Sequence, residues 1–188
     1  ARHTYVFWVF ILALGLMGLY YTAFTFHIAS LFEEAGRTRT QAFNVFLPTS
    51  FISVGLSFFA GWASDRIPLK YLLMVMLGGS AVAMLGLCGV SSSWGVWCII
   101  LGNGVTLAHF GLLAGVTWPK LFGREHLGEI SGFCMAATVL GSAVGPWLFG
   151  VSLARTGSYL AGILACLVIT FLLFVGAYKA DRPRSAVQ

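Results

Sequence analysis

The chain has 188 residues, of which 59% are hydrophobic and 9% charged, with a net charge of +5 and a mean hydropathy of +0.89. That excludes an ordinary soluble domain, in which about a quarter of the residues are charged. It also turns the positive charge away from nucleic acid, because the basic residues gather at the ends of apolar runs instead of forming one patch.

Six apolar runs follow one another, each about 20 residues or longer and so able to cross a bilayer. The first covers about 4–32. It is too long for a secretory leader, and no small-residue cleavage site follows it. The chain starts at Ala1 without Met, which predicts a processed or partial chain. A polar loop, Glu33 to Thr40, leads to the second span at about 41–63, with Thr40 as its expected cap and Pro48 as an expected kink. The charged turn Gly61 to Lys70 (GWASDRIPLK) leads to the third span at 71–90. Three serines, Ser91 to Ser93, separate it from the fourth at 94–121. The loop Gly123 to Gly128 precedes the fifth at 129–153, and ARTGS precedes the sixth at 159–178. The expected domain is therefore a six-span all-α membrane unit over 1–180, with 181–188 as a cytoplasmic tail.

Six spans bring both termini to one side. That side holds Arg2, Arg66, Lys70, Lys120, Arg124, Lys179, Arg182 and Arg184, against Arg37, Arg39 and Arg155 on the other. The positive-inside rule places both termini in the cytoplasm, in the plasma (inner) membrane. Cys88, Cys98, Cys134 and Cys166 all fall inside apolar runs without metal-ligand spacing and read as packing residues. Gly61 and Arg66 recur 89 residues later as Gly150 and Arg155, on the opposite membrane face. Such a repeat fits two inverted three-helix units.

Polar groups inside a membrane are costly and usually face a cavity or a partner. In the first span Gly15, Gly18, Thr22, Thr25 and Ala29 form a small-residue face, with Tyr20, Tyr21, Phe24 and His27 as cavity candidates. In the fourth, Gly104, Ala108, Gly111 and Gly115 form the small face. Small faces favour close packing, so Asn103, Thr106 and His109, on the other side, are expected to line the cavity. His109 is also a candidate for proton coupling. All six acidic residues lie in loops, at helix ends or in the tail. No cofactor, metal site or enzyme activity is expected.

The turn GWASDRIPLK resembles the loop signature of the major facilitator superfamily, G-x-x-x-D-R-x-G-R-R, through Gly61, Asp65, Arg66 and Lys70. Pro68 and Leu69 depart from it as the copy in the C-terminal half does. In the fifth span, Gly141, Gly145, Pro146 and Gly150 resemble the G-x-x-x-G-P-x-x-G-G motif of facilitator antiporters and read as helix packing. The resemblance covers nearly the whole chain but only half of a usual transporter. It implies a secondary transporter working by alternating access, with an N-terminal six-helix half supplied by the same gene or a second chain. It also implies that Asp65 meets a helix N-terminus or an Arg of that half, as part of a cytoplasmic gate. With histidine as the only residue deep in the spans that can supply a titratable positive charge, a small organic anion moved with protons, or a neutral solute, is permitted as substrate. The general look of spans one, four and five is similar to monocarboxylate and oxalate–formate carriers, although their deep basic residue is absent. Two other classes compete. A membrane scaffold predicts no polar face inside the bundle. Ala108 to Gly115 (AHFGLLAG) is similar to the histidine stretch of rhomboid proteases, but it is one residue short, lies in span four rather than the last, and the chain lacks an intact serine elbow.

Overall fold

The computed structural model describes residues 4–180, so the expected tail 181–188 lies outside the described residues, with Arg2, Arg182 and Arg184. Seven helices follow in order: α1 (Tyr5–Glu34), α2 (Arg39–Phe43), α3 (Phe46–Ser64), α4 (Leu69–Cys88), α5 (Ser93–Phe122), α6 (Leu127–Thr156) and α7 (Leu160–Tyr178). Six segments are long and apolar enough to span a membrane; the short α2 and α3 together make one of them. Among the described residues the chain is thus all-helical, with six segments long and apolar enough to span a membrane, as a six-helix membrane protein has. We call the end bearing Tyr5 and Tyr178 the terminal end, and the end bearing the α1–α2 loop the distal end.

Two local expectations are corrected. The cap of the second span is Thr38, not Thr40. Thr38 accepts from the Gln41 amide at 3.2 Å while the Gln41 side chain accepts from the Thr38 amide at 3.1 Å, a reciprocal capping box. Pro48 does interrupt the second span, but one turn before itself rather than at its own position. It sits in the first turn of α3, where its missing N–H has no intrahelical partner to lose. Its ring is incompatible with a helical carbonyl four residues earlier, at Asn44, and α2 gives way to α3 at Asn44–Val45. By contrast, Pro146 does lie inside α6.

Glycine sets how closely the helices approach. A Cβ at Gly141 would collide with the Gly15 carbonyl, and one at Gly145 with the Leu19 carbonyl, so α1 and α6 touch backbone to backbone. Gly79 and Gly102 do the same for α4 and α5, and Gly104 admits Ile52 of α3.

The main partnerships are α1 with α6, α3 with α5, α4 with α5 and α4 with α7, with a smaller one between α1 and α7. Exchanging the first three spans for the last three maps this set onto itself. α1–α6 becomes α5–α3, α4–α5 becomes α7–α1, and α4–α7 returns to itself. The 89-residue offset recurs at these contacts. Thr49 on α3 and Thr138 on α6 each return their hydroxyl to the carbonyl four residues earlier, at 2.7 and 3.0 Å. α3 and α6 are the least covered of the long helices, with Leu47, Phe51, Phe58, Leu140 and Trp147 all more than half exposed.

Candidate functional site

The cavity candidates fall into two groups. In the middle of the bundle, Tyr20 is fully buried on α1 and donates to Asn103 Oδ1 on α5 at 3.3 Å. Phe24 stacks on the Tyr20 ring with centroids 6.1 Å apart. Asn103 is buried, and its Nδ2 has no hydrogen-bond partner. Thr106 is also buried, donating to Gly102 O at 2.7 Å and lying 3.3 Å from Met76 O of α4. His109 Nδ1 contacts Val105 O of its own helix at 2.8 Å. These side chains sit among α1, α4 and α5, inside the six-helix unit.

The small face of α5 divides. Gly104 is packed, but Gly111 and Gly115 meet nothing within 4 Å, and both are exposed. The polar arc is therefore the covered face of α5, and the terminal part of the glycine stripe is the open one. The reason is local. Thr106 and His109 find backbone carbonyls to bond, which makes their burial affordable.

The second group lies towards the distal end. His27 on α1 is half-buried. Its Nε2 is 3.1 Å from the carbonyl of Pro146 on α6, and its Nδ1 is 3.2 Å from the hydroxyl of Tyr159, the residue that caps α7. Tyr159 is buried and donates to Ser30 at 2.9 Å. Phe149 of α6 stacks against the imidazole, centroids 6.3 Å apart. Thus His27 and Pro146, singled out separately in the sequence, meet here. Tyr159 and Ser30 were missed, and only a tyrosine at the mouth of a span hinted at them. Tyr21 is half-buried, and Thr25 donates back to its carbonyl at 2.9 Å.

At the terminal end, Asp65 caps α3 and is exposed. Lys120, from the last turn of α5, donates to Asp65 Oδ1 at 2.6 Å and to the Ser64 carbonyl at 2.9 Å. The carbonyl at the end of α3 and the carboxylate thus share one ammonium. The same Lys120 holds the Asp65 carboxyl below its ordinary range, by hydrogen bond first and charge second. Within this chain, Asp65 and Lys120 form an ion pair. Arg66 lies 4.3 Å over the Trp62 ring, and Lys70 stands 5.5 and 5.9 Å from the rings of Tyr71 and Tyr178. Together Asp65, Arg66, Lys70 and Lys120 line a cavity of about 860 Å³. Gly61, expected at a close approach, has open space around its Cα, as has Gly150. Lys120 was read only as a topological charge, because nothing in the sequence pairs it with a residue 55 positions away.

Neither a comparison with family models nor one with curated proteins finds a match for this chain.

Proposed function

We propose that this chain is the C-terminal six-helix half of a major facilitator superfamily secondary transporter, moving a small solute by alternating access. The observation that carries the reading is the crosswise pairing of α1 with α6 and α3 with α5. It relates the two three-helix units by exchange, as inverted repeats require. The charged turn at Asp65 and the small-residue contact at Gly141 and Gly145 support it. The thinly covered α3 and α6 leave faces for a second six-helix half, and Gly111 and Gly115 give α5 an open face between them.

The substrate class follows from charge. No Lys, Arg, Asp or Glu lies deep in a span, which leaves histidine as the group there that can gain a positive charge. An organic anion carried with protons, or a neutral solute, fits that inventory. The test is uptake into vesicles of the full protein, comparing carboxylates and neutral solutes with and without an inward proton gradient. Saturable uptake of one class, abolished by Asp65→Asn with insertion intact, is expected. No saturable uptake of either class by folded protein would favour a scaffold.

A further inference from the structure

We propose that His27 is a proton-binding site supplied from the distal surface through Tyr159, and that the proton it binds is the coupling ion. The second clause rests on the transport reading above; the first does not.

The geometry gives His27 two satisfied states with the same heavy-atom positions. Nε2 faces the Pro146 carbonyl, which can only accept, so Nε2 carries a hydrogen in both states. Nδ1 faces the Tyr159 hydroxyl, which can donate or accept. In the neutral state Tyr159 donates to Nδ1. In the charged state Nδ1–H donates to the Tyr159 oxygen, and the Tyr159 hydroxyl turns to Ser30, 2.9 Å away. Gaining a proton therefore reorients hydrogens and leaves no buried group without a partner, unlike the usual case for a charge in a membrane.

A route exists for the proton. Tyr159 also lines a cavity of about 240 Å³ at the distal end, together with Glu34, Ser91 and Ser158. Tyr159 would pass its hydroxyl proton to Nδ1 and take another from hydronium at this cavity, which leaves as water; no bond between heavy atoms forms or breaks. Other charges stand back. On α1 the neighbouring ionisable groups are Tyr21, about two turns before His27, and Glu33, paired with Arg39 at 3.7 Å, and Glu34, both about two turns beyond it. On α6, Arg155 is exposed, more than about two turns past Pro146. α7 contributes Tyr159 itself.

Protonation also has a mechanical consequence. A hydrogen bond from imidazolium to the Pro146 carbonyl is charge-assisted and stronger than one from neutral imidazole. Pro146 already interrupts the hydrogen-bond ladder of α6. The charged ring thus grips α6 at its weakest point, holding α1, α6 and α7 together at the distal end. Loss of the proton loosens that grip.

The experiment is nitrogen NMR of the full protein in bilayers, labelled with ¹⁵N-histidine and titrated over about pH 5–9, the range that brackets histidine. His27→Gln assigns the signal, and Tyr159→Phe is the second variant. We expect His27 to titrate, with its neutral form wholly the Nε2–H tautomer. Tyr159→Phe should keep the Nε2–H tautomer, which the Pro146 carbonyl fixes, and shift the midpoint while leaving His109 and His126 unmoved. A ring that does not titrate, a neutral Nδ1–H tautomer, or an unchanged Tyr159→Phe titration would overturn the site. The coupling clause is read on Gly111→Cys, whose labelling from the two membrane sides should shift with pH and lose that shift in His27→Gln. Two-sided but pH-independent labelling would overturn the clause. Strictly one-sided labelling at every pH, with His27 titrating, would remove the transport reading and leave the proton site standing.

Discussion

Gly145 and Gly150 differ by five residues in one helix, yet they answer to different forces. At Gly145 a methyl group would enter the Leu19 backbone, which cannot yield as a side-chain tip can. Gly145→Ala should destabilise the bundle by about 1–3 kcal/mol, the range for overpacking. Gly150 has open space, so Gly150→Ala should be neutral or stabilise α6 by up to about 1 kcal/mol through helix propensity alone. Thermal unfolding of the two variants in one detergent checks both; equal losses would contradict the assigned contact. Asp65 offers a second residue-level test. Its carboxyl is held down by Lys120, so the ion pair is present at and above the ordinary carboxylate range and is lost as pH falls through the depressed value. In Lys120→Met the Asp65 titration, followed by carboxyl ¹³C NMR, should move up towards the ordinary value. An unmoved titration would mean that the pair does not form.

At the scale of elements, the apolar runs announced the six spans because a bilayer demands length and continuous apolarity, and both are visible in one dimension. The helix ends are set by caps and tertiary contacts rather than by the apolar run; α6, for example, extends from Leu127 to Thr156, and the apolar run read from the sequence is 129–153. The break between α2 and α3 was not legible. Pro48 marked a disturbance, but its effect falls at the carbonyl it would strike, one turn earlier. Facing was the least legible property. A glycine stripe says that something could approach closely, not that something does. On α5 the approach happens at Gly102 and Gly104 and not at Gly111. Likewise Asn103 and Tyr20 read as cavity groups because the sequence cannot show that they meet each other across 83 positions. His27 and Pro146 were each visible as unusual residues in a span; their contact depends on the α1–α6 crossing, a tertiary property.

For the whole molecule, three spans in each unit predict that corresponding loops of the two units fall on opposite membrane faces. Arg66, Lys70, Lys120 and Arg124 lie at the terminal end and Arg37 and Arg155 at the distal end, and the positive-inside rule predicts that the terminal end is cytoplasmic. A single cysteine placed at Arg37 or Arg155 should react with an impermeant thiol reagent added to intact cells, and one at Arg124 should not. Labelling at Arg124 from outside would invert the topology. The central claim is that this unit works with a second half around an aqueous space that opens to each side in turn. Gly111 tests it most directly, since it lies on the open face of α5, well inside the span, where a cysteine fits without strain. In the full protein, Gly111→Cys should react with impermeant reagent in both right-side-out and inside-out vesicles. Reaction from one side only, or from neither, would contradict alternating access.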